Sequence, residues 1–137
     1  MAVAGLSAGA SMAALLATRH PDRFKAVVMH SGVPPGGADS ALSALGAMHG
    51  RRGKSALAAQ PKRVAGAWPP LMVIHGSADS VVSDRNARAA VDSWAAAAGA
   101  LAGATRSVQR GKRHPIQVTD FKRRGHDAAT LDRKSVV

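Results

Sequence analysis

The chain has 137 residues, enough for one domain of ordinary size, and 46% are hydrophobic, enough to fill a single core. It has no cysteine, which excludes disulfides and thiolate zinc sites, and no run approaches the roughly 18 apolar residues of a membrane span. The 19 Lys and Arg outweigh 8 acidic residues, all Asp, for a formal charge of +11, yet two Trp, two Phe and no Tyr supply no interleaved stacking platform, so specific nucleic-acid binding is not expected.

In chain order, Met1 to Ala4 reads as the end of a strand, followed by Gly5-Leu6-Ser7-Ala8-Gly9 and then a helix over Ala10 to Thr18 with Met12, Leu15 and Leu16 at helical spacing. A G-x-S-x-G between strand and helix is a nucleophile elbow: small flanking residues permit a strained turn that lifts a serine hydroxyl above the sheet. The plain alternative is a glycine-padded turn. His20-Pro21 ends the helix, since proline cannot continue it, and Lys25 to His30 is a short apolar run expected as a parallel strand covered on both faces.

Ser31 to Gly37 packs two prolines and three glycines into seven residues and must be a loop. Ala38 to Met48 carries Leu42, Leu45 and Met48 three apart, as a helix would, and the stretch of about 33–68 reads as a lid or pocket wall, or else a surface insertion. Pro69-Pro70 opens the strongest strand, Leu71 to His75, and Asp79 follows just past its end, where functional groups gather in an open α/β sheet. Ser83 or Asp84 is the expected cap of a helix from about Asn86 to Ala98, with Ala87, Val91, Trp94 and Ala98 on its core face. Thr105 to Gln109 and Ile116 to Phe121 alternate as strands, Lys122 to Gly125 reads as a basic turn, and Ala128 to Arg133 opens a further strand.

Taken together, Gly5-Leu6-Ser7-Ala8-Gly9-Ala10, His30-Ser31-Gly32-Val33-Pro34, His75-Gly76-Ser77-Ala78-Asp79 with Val82 and Asn86, and Trp94 resemble the polyhydroxybutyrate depolymerase-type esterases. This is a branch of the α/β-hydrolase superfamily, similar to feruloyl and acetylxylan esterases, and the resemblance extends to about Phe121. It implies an α/β fold with a mostly parallel sheet, and a serine esterase acting on hydroxyalkanoate, aryl or acyl esters, small or polymeric, with no cofactor or metal. It also implies Ser7 as nucleophile, Asp79 as triad acid and the backbone N–H of Ala8 as an oxyanion donor.

Such chemistry needs an imidazole to take the serine proton, placed after the acid in chain order. Only His114 and His126 follow Asp79. His114 precedes Pro115 at a strand start and reads as structural, leaving either His126, in Gly125-His126-Asp127, or a histidine beyond Val137 if Ala128 to Arg133 is the strand that precedes it. With only four residues before Gly5, the loop that carries the second oxyanion donor in this superfamily has no counterpart. The chain is therefore expected to be a C-terminal portion of an esterase, residues 1–137 forming one domain without its N-terminal strands. Family members suggest secretion, though the chain shows no basic-then-apolar leader pattern. Two alternatives stand beside an active esterase: a catalytically inactive chain of the same fold, and a basic module for nucleic acid or other anions.

Overall fold

The computed structural model describes residues 1–35, 46, 48, 49, 68–123 and 126–134, with Arg123 and 126–134 described by backbone alone. The expected helix over Ala38 to Met48 and most of the 33–68 lid or insertion lie outside the described residues.

The apolar run at the N-terminus forms β1 (Ala2–Leu6), Ser7 turns the chain, and α1 (Ala8–Arg19) follows. Next come β2 (Ala26–His30), β3 (Leu71–Gly76) and α2 (Arg85–Ala98). Then β4 (Leu101–Ala102), β5 (Arg106–Val108), β6 (Ile116–Arg123) and β7 (His126–Lys134) complete the described elements. They build one sheet in the order β1-β2-β3-β7-β6-β4, with β5 also paired to β6. β1, β2, β3 and β7 are parallel, and β6 runs against β7 and pairs antiparallel with β4 and β5. This is an α/β fold whose parallel half carries α1 and α2.

Alternation along the strands decides the core. Val27 and Met29 on β2 and Leu71, Val73 and His75 on β3 point to one face and are buried. Against them lie Ala10, Ala14 and Ala17 of α1 and Ala87, Ala90, Val91 and Trp94 of α2. The expected face of α2 is present in Ala87, Val91 and Trp94, with Ala98 half-buried. α1 differs from the sequence reading. Its buried face is Ala10, Ala13, Ala14 and Ala17, while Met12 is 55% and Leu16 38% exposed. The start of the helix lies close against the chain just past β2: a Cβ added at Gly32 would fall 2.6 Å from Ala10 Cβ.

The ends of α2 follow local chemistry only in part. Asp84 stands at the N-cap position but makes no side-chain cap bond, and Ser83 Oγ accepts the Arg85 N–H at 3.3 Å instead. Gly99 closes the C-terminus with φ 64 and ψ 34, the left-handed conformation that glycine adopts without a Cβ penalty. Trp94 Nε1 donates to the Pro69 carbonyl at 3.0 Å and its ring lies 4.6 Å from that of Trp68, fixing α2 to the entrance of β3. The basic turn expected over Lys122 to Gly125 does not include Lys122 and Arg123, because β6 continues to Arg123, and β7 begins at His126. Among the described residues no helix is long and apolar enough to cross a membrane.

Candidate active site

The parallel register brings the carboxyl ends of β1, β2 and β3 level, pairing Leu6 with His30 and His30 with Ile74. Ser7, Ser31 and the loop that carries Asp79 leave from this common edge, with neighbouring strands about 4.8 Å apart.

Ser7 sits between β1 and α1 with φ 54 and ψ −122, one of two non-glycine residues with positive φ among those described. That region costs a side-chain-bearing residue about 1–3 kcal/mol and persists only where surrounding bonds over-determine it. Here they do: the Ser7 N–H donates to the His30 carbonyl at 2.8 Å, and the Ser7 carbonyl accepts from Ala10 and Ser11 at 3.0 and 3.2 Å. The Ser7 side chain makes no cap bond and is exposed, so the hydroxyl stands free at the head of α1. Gly5 is required, because a Cβ there would land on the Gly9 carbonyl, whereas one at Gly9 would meet nothing within 4 Å. Thus only the first glycine of the motif answers to sterics. The N–H of Ala8 opens the first turn of α1, whose amides have no acceptor within the helix and lie at its positive end.

Ser31, at the end of β2, is the second residue with positive φ, at 50. Its N–H donates to the Ile74 carbonyl at 3.0 Å. The loop beyond it is tied to α1, since Ser11 Oγ accepts the Val33 N–H at 2.9 Å.

Asp79 follows β3 in a tight turn in which Oδ1 accepts the N–H groups of both Val81 and Val82 at 2.9 Å. Partial burial works to raise its pKa, but the bonds from Val82 and Val81, a side-chain hydrogen bond from Ser31 and the nearby His75 ring outweigh it. The carboxyl is therefore held below its ordinary value and is ionised at neutral pH. Asp79 keeps 19% of its side chain exposed, so a group above the sheet edge can reach it.

His75 is fully buried beneath this turn. Its Nε2 lies 2.7 Å from the Val82 carbonyl, which can only accept, so the proton is on Nε2. Nδ1 has no hydrogen-bond partner, an arrangement that costs about 1–3 kcal/mol. Ser31 and His75 were read from sequence as loop and strand-end residues, and their support of Asp79 comes from the structure. A signal for His75 was present in the alternation that places it on the buried face with Leu71 and Val73.

His126 is not brought to this edge. It is the first residue of β7, eight residues before Lys134, which pairs with Gly76 at the carboxyl end of β3. At about 3.3 Å per residue, that sets its backbone roughly 26 Å down the strand from the edge that carries Ser7 and Asp79. His114 is at the right edge, two residues before Ile116, which pairs with Lys134, but it leads into β6, two strands from β3 and about 10 Å across the sheet. Among the described residues no three His, Cys, Asp or Glu side chains gather as a metal ion would need.

Among solved structures, an acetyl xylan esterase from Aspergillus awamori superimposes with a TM-score of 0.70 at 22% sequence identity, covering 98% of this chain and 52% of that one. The likeness is one of fold, and the chain spans about half the length of that structure. No curated protein sequence matches. The model of the esterase PHB depolymerase family matches residues 1–117, covering the Ser7 turn, the Ser31 loop and the Asp79 turn, and the chain belongs to that family.

Proposed function

We propose that this chain carries the nucleophile and the acid of a serine ester hydrolase, with Ser7 as nucleophile, Asp79 as acid and the Ala8 N–H as an oxyanion donor. The observation that carries the reading is the backbone of Ser7: a strained, over-determined turn that leaves a hydroxyl exposed at a helix N-terminus. A serine hydroxyl attacks an ester carbonyl once an imidazole takes its proton, and the Ala8 N–H then faces the negative charge on the carbonyl oxygen. Asp79 has one oxygen fixed by Val81 and Val82 and stays ionised, which suits it to hold that imidazole in one tautomer and to stabilise the imidazolium. The imidazole has to reach the edge where β7 ends beside Gly76, not the end where His126 begins it. Residues 1–137 are read as one domain, with the 33–68 stretch as its lid or insertion. The substrates this reading favours are carboxylic esters of hydroxyalkanoate, aryl or acyl type, small or polymeric.

The position of His126 favours a second reading, a chain with the same fold that does not turn esters over. One experiment separates the two. A fluorophosphonate probe is expected to label the folded chain at Ser7 and not the Ser7→Ala variant, with His126→Ala labelled like the wild type. Hydrolysis of p-nitrophenyl butyrate that vanishes in Ser7→Ala supports the active reading. A folded chain that takes no label and shows no hydrolysis sinks it, and loss of both in His126→Ala would reinstate His126 as the base.

A further inference from the structure

Between β3 and Asp79 lies a short, closed set of bonds that the reaction itself does not use. His75 is fully buried, and its Nε2–H donates to the Val82 carbonyl at 2.7 Å. The N–H of that same Val82 donates to Asp79 Oδ1 at 2.9 Å, and Val82 is itself only 4% exposed. His75 Nε2 also lies 3.7 Å from Asp79 Oδ2, beyond hydrogen-bond reach, so the bonded route from imidazole to carboxylate runs through the Val82 peptide. The other ring nitrogen has no partner. An apolar residue of similar size would spare the unmatched Nδ1 but strand the Val82 carbonyl, so what the imidazole supplies here beyond packing is the donor to that carbonyl.

We propose that His75 is a positioning residue for Asp79: by holding the Val82 carbonyl it sets the turn whose amides aim and fix the carboxylate through Oδ1. Val82 works as a clamp with His75 below and Asp79 above. The bond is strong for its kind, being short, buried and shielded from competing water. Ser31 approaches the same carboxylate from the loop after β2, so the acid is held from the loops of two neighbouring strands. The proposal rests on Asp79 being the acid of the site, and its test is chosen to read Asp79 directly, without turnover, so that failure of the esterase reading at Ser7 leaves it separately decidable.

The test is NMR on the full, isotopically labelled chain. In the wild type, His75 should show a protonated Nε2, and an Nε2 without a proton would overturn the geometry. The Asp79 carboxyl carbon is then titrated in two variants. His75→Gln offers an N–H at similar reach, whereas His75→Leu keeps the bulk and loses the donor. The Leu variant is expected to raise the Asp79 titration midpoint toward that of an ordinary aspartate and to move the Val82 amide resonance, with the Gln variant restoring both. Equal shifts in the two variants, or none in either, defeat the proposal, because a purely structural ring would not distinguish them. If the Leu variant does not fold, the wild-type tautomer and an unmoved Asp79 in the Gln variant decide in favour, and a displaced midpoint in the Gln variant decides against.

Discussion

Ser7 holds a backbone conformation that its side chain makes unfavourable, and three hydrogen bonds keep it there: its N–H to the His30 carbonyl, and the Ala10 and Ser11 amides to its carbonyl. A residue without a Cβ would relax the strain. The strain is worth about 1–3 kcal/mol, while a glycine adds roughly 0.4–1 kcal/mol of unfolded-state entropy, so relief is the larger effect. Ser7→Gly is therefore expected to be more stable than Ser7→Ala by roughly 1 kcal/mol in urea unfolding, both lacking the nucleophile. A glycine variant no more stable than the alanine variant would show that the turn is unstrained. At this scale the sequence was legible where a motif forces a conformation. Ser7 and Asp79 were named from G-x-S-x-G and from a position just past a buried strand. Ser31 and His75 were not assigned roles, because their meaning comes from partners 48 and 7 residues away, as in the pairing of Ser31 with Asp79 and of His75 with Val82.

The elements that carry the site divide by how much large apolar surface they show. β3 is a continuous apolar run bounded by Pro69-Pro70 and Gly76, and it is read from sequence almost to the residue. α1 misleads, because Met12 and Leu16 look like its core face while the packed face is alanine, and at Ala10 that face lies close against Gly32 just past β2. β6 and β7 misled at their junction, since charged residues that suggested a turn at Lys122 are tolerated in a hairpin extension. α2 ties these parts together through Trp94, buried to 2% exposure with Nε1 on the Pro69 carbonyl. Trp94→Phe removes that donor, strands a buried carbonyl and leaves a gap beside Trp68, for an expected loss of about 2–4 kcal/mol in urea unfolding. The same helix offers a control. Arg88 and Asp84 lie 3.7 Å apart with the arginine 61% exposed, and Arg88→Ala should change stability by no more than about 0.5 kcal/mol. Comparable losses in the two variants would mean that α2 is not held by its tryptophan.

Across the whole molecule, long-range pairing places what no local pattern reveals. The sequence puts Gly125-His126 after Asp79 in the right order, and only the register of β7 shows that its backbone lies at the far end of the sheet. The same register exposes a second global feature. Among the described residues β1 ends the sheet order, and it carries no charge and no proline on its outer edge. The Ser7 N–H bonds to His30, so by the alternation of a parallel ladder Val3 and Gly5 also face β2, while the N–H and C=O groups of Ala2, Ala4 and Leu6 point outward. Leu6 is 66% exposed and Met12 on α1 55%, so this edge, unpaired among the described residues, is flanked by apolar surface of the kind that invites strand addition. A formal charge of +11 opposes that association through repulsion, which reaches about 10 Å at 0.1 M salt and fades to about 3 Å at 1 M. The chain is therefore expected to self-associate more as salt rises, the opposite of contacts made by charge pairing. Ala4→Pro deletes one outward N–H and leaves the β2 ladder intact, since edge strands accept proline where the missing donor faces solvent. In sedimentation velocity from low to high salt, the wild type should shift toward larger species and the proline variant should stay largely unchanged. A wild type that is monomeric throughout, or a proline variant that associates equally, would show that this edge is covered or inert.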